Sequence, residues 1–448
     1  MKRRNYIWNR LTPYQLLVFG YIFVTVSGAL LLSLPVSSAQ GMSQPFLDAL
    51  FVATSGISTS GLSPVDIGTY YSLFGQIVLL GIFQMGGIGY MTFIILTMYA
   101  LGIRGSLRTS LVAKESLAGP NLHVLKSFFL SVLAYSFAFE FVGAAILAVF
   151  WMKEYSPAYS VYLGAFHSVS TFCTAGFGLF PDNLMGYRDS TLLNVTIIIL
   201  SLAGGIGFFV LRDLAAFMAN RLNGRRRFRL TVHTRLVLIV TTIVISIGTV
   251  VILFSEHWPS TMSAYDRTLT SVFQAVSAST TDGFNTINIG AMGTASLTVL
   301  MLLMFVGASP GSTGGGIKTT TFGLLFILLW ARLRKKRNNV LGTEMSERCI
   351  YDAVVVAFCF MLVALTDSVI LSITEKSTYV QNLFEIVSAL GNTGLSTGIT
   401  SGLSSIGKAA LIVTMFIGRI GVMSIAFAFI TRPPKVLFRY PTEDVFVG

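Results

Sequence analysis

Four segments of the chain share one spacing of aromatic, hydroxyl and glycine residues. In each, phenylalanine is followed four residues later by serine, eight later by threonine or asparagine, and ten later by glycine. The segments begin at Phe51, Phe166, Phe273 and Phe384. Their glycines, which are 115, 107 and 111 residues apart, are Gly61, Gly176, Gly283 and Gly394. This gap-free recurrence indicates an internal fourfold repeat rather than four unrelated loops.

The spacing is suited to binding a cation. The phenylalanine and serine lie on a short helix whose carboxyl end directs a negative dipole at the membrane centre. The glycine adopts dihedral angles closed to other residues, which lets backbone carbonyl groups converge on one axis. Four such segments can replace an ion's water shell. The predicted ion-binding filter is Thr59-Ser60-Gly61, Thr174-Ala175-Gly176, Thr281-Asp282-Gly283 and Asn392-Thr393-Gly394.

Composition places these segments in a membrane. The chain has 448 residues, of which 53% are hydrophobic and only 11% charged. A soluble protein could not bury that apolar fraction, and disordered chains are polar and highly charged. The net charge of +12 does not indicate nucleic acid, because the basic residues form short clusters between apolar runs. The three cysteines lack metal-site or disulfide spacing.

Long apolar runs alternate with shorter ones. The predicted spans are 15–34, 71–100, 127–151, 191–218, 232–255, 295–331, 351–373 and 406–430. The shorter stretches, about a dozen residues each and too short to cross a bilayer, are 44–56, 159–171, 266–278 and 379–390. The predicted fold is an all-α integral membrane protein with eight spanning helices, four re-entrant pore loops and pseudo-fourfold symmetry around one pore.

Each predicted repeat is one quarter of the chain. The repeats and their pore loops are 1–100 (44–63), 101–220 (159–178), 221–340 (266–285) and 341–448 (379–396), the last including the C-terminal tail. In the predicted topology, 24 lysines and arginines lie on one side and 5 on the other. This asymmetry predicts that both termini are cytoplasmic and that the first apolar run is a retained helix.

The second helix of the third repeat contains a glycine-rich break. Residues 307–318 hold five glycines and one proline, which cannot stay helical. Inside a membrane, an unwound segment needs a polar cavity, and beneath a filter it can obstruct the path of ions. A phosphate-binding P-loop fails because Ile317 separates the last glycine from Lys318 and no strand precedes the motif. A plain helix kink is the remaining alternative.

With the motifs GASPGSTGGGIKT at 307–319 and GRIG at 418–421, the sequence resembles the Trk/Ktr/HKT superfamily of potassium transporters over nearly its whole length. It is most similar to the ion-translocating membrane subunit of a bacterial Ktr potassium uptake system. The resemblance implies potassium uptake across the cell membrane, with sodium dependence left open. It also implies a gate formed by Ser309, Pro310, Gly311, Ser312, Thr313, Gly314, Gly315, Gly316 and Lys318, touched by Arg419. Asn392 departs from the threonine of the other three repeats.

The resemblance also implies partners. Such subunits form homodimers on a cytosolic nucleotide-binding regulatory ring, with the tail at 444–448 helping to form the dimer. The basic clusters at 221–229 and 332–337 could dock an acidic partner or anionic lipid, or could be topology signals alone.

Other functions remain as alternatives. A sodium-preferring or non-selective cation transporter of the same superfamily is one, although the resemblance implies serine at position 61 in sodium-preferring members. A membrane enzyme is disfavoured because the four histidines are scattered. A carrier with inverted repeats is disfavoured because all four pore loops lie on one side.

The predicted spans contain charged residues whose roles stay open. Arg419 is a functional hypothesis by default, the alternative being a buried ion pair with Asp367 or Glu140. Those two carboxyl groups are interpreted as hydrogen-bonding groups rather than ion ligands. Asp282 either hydrogen-bonds behind the filter, which is favoured, or raises the local cation concentration.

Overall fold

The fold is helical and is known from a computed structural model, which describes residues 12–89, 122–224, 229–335 and 339–429. Four long helices are Pro13–Leu32, Leu122–Trp151, Val232–Ser255 and Glu347–Thr374. Each is followed by one of four short helices, Phe46–Ser58, Pro157–Phe172, Ala264–Thr280 and Tyr379–Gly391. Each short helix precedes one of four second helices, Leu73–Ile88, Thr191–Gly205, Thr294–Val306 and Ser405–Ile420. The remaining helices are Ile67–Tyr70, Phe208–Leu222, Thr319–Leu333 and Val422–Phe429, and one hairpin pairs Asn339–Val340 with Thr343–Glu344.

The long and short helices occupy opposite environments. On the long helices, large apolar side chains such as Phe23, Phe141 and Phe254 are 72%, 76% and 81% exposed. Large exposed apolar surfaces mark contact with a membrane or another protein, and these four helices are long and apolar enough to cross a membrane. The short helices are buried along most of their length, including polar residues such as Ser170 and Ser277. The all-α integral membrane class is therefore confirmed.

Two of the second helices meet the helix that follows them at a sharp bend. Thr191–Gly205 meets Phe208–Leu222 at 102°, and Ser405–Ile420 meets Val422–Phe429 at 92°. The runs 191–218 and 406–430 are thus bent rather than continuous, because Gly207 and Gly421 adopt φ of 98° and 83°.

By length and composition, four helices in the described ranges could span a membrane, or six if each bent pair is one span. The helix in the run 71–100 ends at Ile88, beyond which residues 90–121 lie outside the described part, as does the tail at 444–448. The count of eight spans stays a prediction.

Glycines bring the long and short helices into contact in the second quarter of the chain. A Cβ atom on Gly164 would lie 2.6 Å from the Ala144 carbonyl oxygen and 2.7 Å from the Ala148 amide nitrogen. Backbone thus packs on backbone, as small residues allow between membrane helices.

We predict that Gly164→Ala destabilises the protein, because the added methyl group must displace backbone of the neighbouring helix. The free energy of unfolding should fall by about 1–3 kcal/mol, the usual cost of overpacking, in thermal or denaturant unfolding in detergent. Gly81→Ala is the control, since a Cβ atom there meets nothing within 4 Å. Equal stability of the two variants would contradict this packing.

Candidate functional site

The four short helices end in the same backbone conformation. At the end of each helix, a residue is left-handed, with φ of 56°, 51°, 59° and 53° at Thr59, Thr174, Thr281 and Asn392. The next amide donates to a carbonyl five residues back, as in Ser60 to Ser55 (2.7 Å) and Thr393 to Ser388 (2.9 Å). These are the bonds of a Schellman helix end. The main chain thus turns at the same residue in every copy, which accounts for the constant spacing between serine and glycine in the four repeats.

The four glycines pack against neighbouring segments in a closed order. A Cβ atom on Gly61 would lie 2.6 Å from the Ala175 carbonyl oxygen, and one on Gly176 would lie 2.5 Å from that of Asp282. A Cβ atom on Gly283 would collide with the Thr393 carbonyl oxygen. A Cβ atom on Gly394 would collide with the Ser60 carbonyl oxygen, so the fourth segment packs against the first. The four tripeptide segments therefore form a ring in chain order, and every glycine also has positive φ.

The motif serine contacts the chain that leaves the ring in three of the four repeats. The Ser170 hydroxyl donates to the Phe177 carbonyl oxygen at 2.8 Å, and the Ser277 hydroxyl to that of Phe284 at 2.6 Å. Ser388 instead accepts from the Gly394 amide at 3.0 Å. Three of the four serines thus tie the short helix to the chain leaving the ring. Outside the ring lies a cavity of about 330 Å³ lined by segments 61–67, 176–183 and 394–401 and by Asn285.

The loop at 307–318 lies against the inner ends of all four tripeptides. The Thr59 hydroxyl donates to the Thr313 carbonyl oxygen at 3.1 Å. The Thr174 and Thr313 hydroxyl oxygens are 3.2 Å apart, and the Gly315 amide donates to the Thr281 hydroxyl oxygen at 3.1 Å. A Cβ atom on Gly315 would lie 2.8 Å from that of Asn392. The side chains that the sequence assigned to the filter therefore meet the predicted gating residues directly.

Backbone hydrogen bonds hold this loop in place. Its two ends pair with each other, from the Lys318 amide to the Val306 carbonyl (2.9 Å) and from the Ala308 amide to the Gly315 carbonyl (3.1 Å). It also binds the end of helix Thr191–Gly205, through the Ser309 amide to the Gly205 carbonyl (2.9 Å) and the Thr313 amide to the Gly204 carbonyl (3.2 Å). The helix stops at Val306 and restarts at Thr319. The segment is thus an ordered loop rather than a helix kink.

Arg419 bridges three parts of the chain. One guanidinium nitrogen donates to the Thr59 hydroxyl oxygen at 3.0 Å and to the Thr313 carbonyl oxygen. The other nitrogen donates to the Gly86 carbonyl oxygen. Arg419 therefore joins the ring, the loop and helix Leu73–Ile88 of the first repeat.

The alternative ion pair of Arg419 with Glu140 or Asp367 is not found. Glu140 accepts from the Gln84 amide at 2.9 and 3.0 Å. Asp367 accepts from the Thr414 hydroxyl. Both carboxyl groups thus have neutral hydrogen-bond donors, and Cys173 packs beside Glu140 with its sulfur 3.8 Å from a carboxyl oxygen.

A second fourfold motif marks the interruptions of the second helices. The tetrapeptides are Gly-Gly-Ile-Gly at 86–89 and 204–207, Gly-Gly-Ile-Lys at 315–318 and Gly-Arg-Ile-Gly at 418–421. Their last residues share one backbone conformation, with φ of 87°, 98°, 92° and 83°. Lys318 therefore adopts a conformation that the other copies reserve for glycine, while its amine donates to the Gly314 (2.7 Å) and Gly315 (3.2 Å) carbonyl oxygens. Aligning the four tetrapeptides in the sequence would have revealed this relation.

Asp282 differs from its three counterparts, Ser60, Ala175 and Thr393, in having an ionisable side chain. Its side chain is fully buried, and neither carboxyl oxygen has a hydrogen-bond partner in the described part of the chain. The favoured hypothesis of a hydrogen bond behind the filter therefore gains no support. A buried carboxylate without donors is costly unless a cation lies nearby.

Known proteins resemble the chain along its whole length. A sequence model of the TrkH family, described as cation transport protein, matches residues 2–440. Ktr system potassium uptake protein B of Bacillus subtilis is 36% identical over 98% of both chains. Potassium/sodium uptake protein NtpJ of Enterococcus hirae is 30% identical over 100% of this chain and 99% of its own. The solved structure of the potassium transporter TrkH from Vibrio parahaemolyticus superposes with a TM-score of 0.74 at 20% identity, covering 96% of this chain and 87% of the other.

We predict that Arg419→Lys loosens the loop at 307–318. A lysine has one nitrogen and cannot span the three oxygens that the guanidinium group reaches. Each hydrogen bond to a charged group contributes about 1.5–3 kcal/mol, so amide hydrogen exchange within 309–318 should accelerate by about tenfold or more. Arg188→Lys is the control, because Arg188 pairs with the adjacent, exposed Asp189. Unchanged exchange in the loop of Arg419→Lys would show that the guanidinium group does not hold it.

Proposed function

This chain belongs to the TrkH family of cation transport proteins, and we propose that it takes up potassium ions across the cell membrane through a carbonyl-lined filter. The observation that carries the proposal is the closed ring of four tripeptides, whose glycines leave no room for side chains. The curated relatives named above, which are described as potassium or potassium/sodium uptake proteins, support the choice of ion.

The proposed filter uses backbone oxygens rather than side chains. Each tripeptide has positive φ at its first and third residues and ordinary φ between them, and in this proposal that backbone directs its carbonyl groups toward the pore axis. Carbonyl groups are tolerated at membrane depth where they line a pore. Four sets replace the water shell of potassium, and Asp282 adds negative charge beside them. In this proposal each quarter of the chain is a span, a re-entrant short helix and a second span, which together make eight spans around one pore.

The proposed gate is the loop at 307–318. Its contacts with Thr59, Thr174 and Thr281 support a position directly below the filter. An ion leaving the filter inward meets this loop, because the loop touches all four tripeptides. Arg419 and the carbonyl-bound amine of Lys318 stabilise the obstructing conformation.

The proposed assembly is a homodimer with one pore per chain, resting on a cytosolic nucleotide-binding ring that acts on the loop. Its support is the resemblance to the Ktr relatives and the basic residues of the predicted cytoplasmic face. The bilayer surrounds the dimer, and both termini are cytoplasmic. Sodium coupling or sodium permeation is the second candidate, favoured by the potassium/sodium relative. Mass measurement of the purified chain, alone and with a cytosolic subunit, tests the assembly.

We predict that Gly61→Ser lowers the preference for potassium over sodium. Its Cβ atom would displace the Ala175 carbonyl group, 2.6 Å away, and deform the ring. A distortion worth about 1.4 kcal/mol changes the ratio tenfold. Uptake of potassium, rubidium and sodium into proteoliposomes measures it.

Gly41→Ser is the matched control for this prediction. Gly41 also has positive φ, 71°, but a Cβ atom there meets nothing within 4 Å. The control should keep the wild-type ratio although it carries the same backbone strain. Wild-type selectivity in Gly61→Ser would remove the filter assignment, and wild-type liposomes that take up no potassium would remove the proposed function.

We also predict that deleting Gly311 to Gly315 raises the ion flux. The deletion removes Thr313 and Gly315, through which the loop contacts the filter. Flux per purified protein in proteoliposomes is the measurement, compared with wild type and with empty liposomes. A well-expressed deletion variant with wild-type flux would show that the loop is no gate.

A further inference from the structure

One buried position recurs in the four short helices and is not explained by the filter motif. It is the residue directly after the phenylalanine of each repeat. We call it the brace position, and its occupants are Val52, His167, Gln274 and Glu385. All four side chains are fully buried. Three are polar, which is costly at such a site unless each finds a partner.

In the fourth repeat the brace position is a carboxyl group that holds the chain leaving the ring. Glu385 accepts from the Thr397 amide at 3.0 Å and the Ser396 hydroxyl at 2.5 Å. It also accepts from the Thr400 hydroxyl at 2.9 Å. Ser396 and Thr400 line the cavity outside the ring. One buried side chain thus organises the outer mouth on this side.

The second and third repeats make the contact at the same separation. His167 donates from Nδ1 to the Leu163 carbonyl oxygen (2.9 Å), so its Nε2 can accept from the Leu179 amide (3.3 Å). The Gln274 amide donates to the Thr286 hydroxyl at 3.2 Å. In each of these repeats, as in the fourth, the partner follows the brace position by 12 residues.

The first repeat lacks both halves of the contact. Twelve residues after Val52 stands Pro64, which has no amide hydrogen to donate. Valine offers no acceptor. The repeat with an apolar residue at the brace position is thus also the one whose residue twelve later has no amide hydrogen to bind. The pairing of residue types across the four repeats indicates a shared role for this position rather than chance burial.

We propose that His167, Gln274 and Glu385 are positioning residues that hold the outward chain of the filter and thereby set its ion preference, while the first repeat is unbraced. This inference rests on the proposed function. The three bonds of Glu385 make the fourth repeat the most tightly held. Releasing a brace lets the adjoining carbonyl groups move, so that the ring adapts to the smaller sodium ion.

The test compares Glu385→Leu and His167→Phe, which remove the acceptor at similar volume, with Glu385→Gln, which keeps an acceptor oxygen. Proteoliposome uptake gives the half-saturating potassium concentration, the maximal rate and the potassium-to-sodium ratio. We expect the ratio to fall by roughly tenfold in the first two variants, the equivalent of one lost hydrogen bond to a buried group. In Glu385→Gln the potassium-to-sodium ratio should stay within about threefold of wild type, because a threefold change corresponds to half the free energy of a tenfold change. The maximal rate should change less than the ratio.

Val52→Ala is the matched control, because it perturbs packing at the same position without removing a brace. It should keep the wild-type ratio. Amide hydrogen exchange, which needs no transport, should accelerate at Thr397 in Glu385→Leu and at Leu179 in His167→Phe.

Several outcomes would overturn the inference. One is a wild-type ratio in His167→Phe and Glu385→Leu, and another is an equal shift in Val52→Ala. If Glu385→Leu cannot be purified, the potassium-to-sodium ratio of His167→Phe alone tests the inference. If wild-type protein carries no potassium, the proposed function fails, and amide exchange alone then shows whether the brace contacts exist.

Discussion

Backbone carbonyl groups inside a membrane must find a partner, because lipid offers no hydrogen-bond donor. In this protein, four short helices end in a buried region, and the chain leaves each one through two residues with positive φ. At the third residue of each tripeptide the backbone of the next tripeptide is so close that only glycine fits. The long helices provide the lipid-facing wall around this ring, and in three of the four repeats the motif serine and the brace residue bind the chain that leaves it.

The protein departs from fourfold symmetry at the loop 307–318 and at the charged residues that contact it. All four second helices carry a glycine-rich tetrapeptide with the same backbone at its last residue. Two of these copies have a basic residue in place of a glycine, Lys318 and Arg419. Both side chains donate to the loop at 307–318, and Arg419 also binds Thr59 of the ring. The two charges that break the symmetry thus add to the backbone hydrogen bonds of the loop, and carbonyl and hydroxyl oxygens accept their hydrogen bonds.

Much of the fold could be predicted from local pattern. The predicted short stretches at 44–56 and 379–390 correspond to helices Phe46–Ser58 and Tyr379–Gly391. Apolar runs and helix ends depend on neighbouring residues, so the sequence alone reveals them. The bends at Gly207 and Gly421 were missed, because hydropathy stays high across them and glycine is tolerated in membrane helices. The brace position was missed because its occupants differ in chemistry, although their offset from phenylalanine is constant.

The sequence by itself determined the membrane class, the fourfold repeat and the tripeptides with their glycines. Each of these follows from residue type and spacing within a short stretch of chain. Only the tertiary structure decided which groups meet across long separations. Thr59 contacts a loop 254 residues away, and Arg419 bonds to Gly86 rather than to a carboxylate. Asp282 was expected to find a hydrogen-bond donor, but the packing leaves it none among the described residues. Composition cannot reveal these partners, because a buried charge can be satisfied by many groups and the packing of distant helices selects among them.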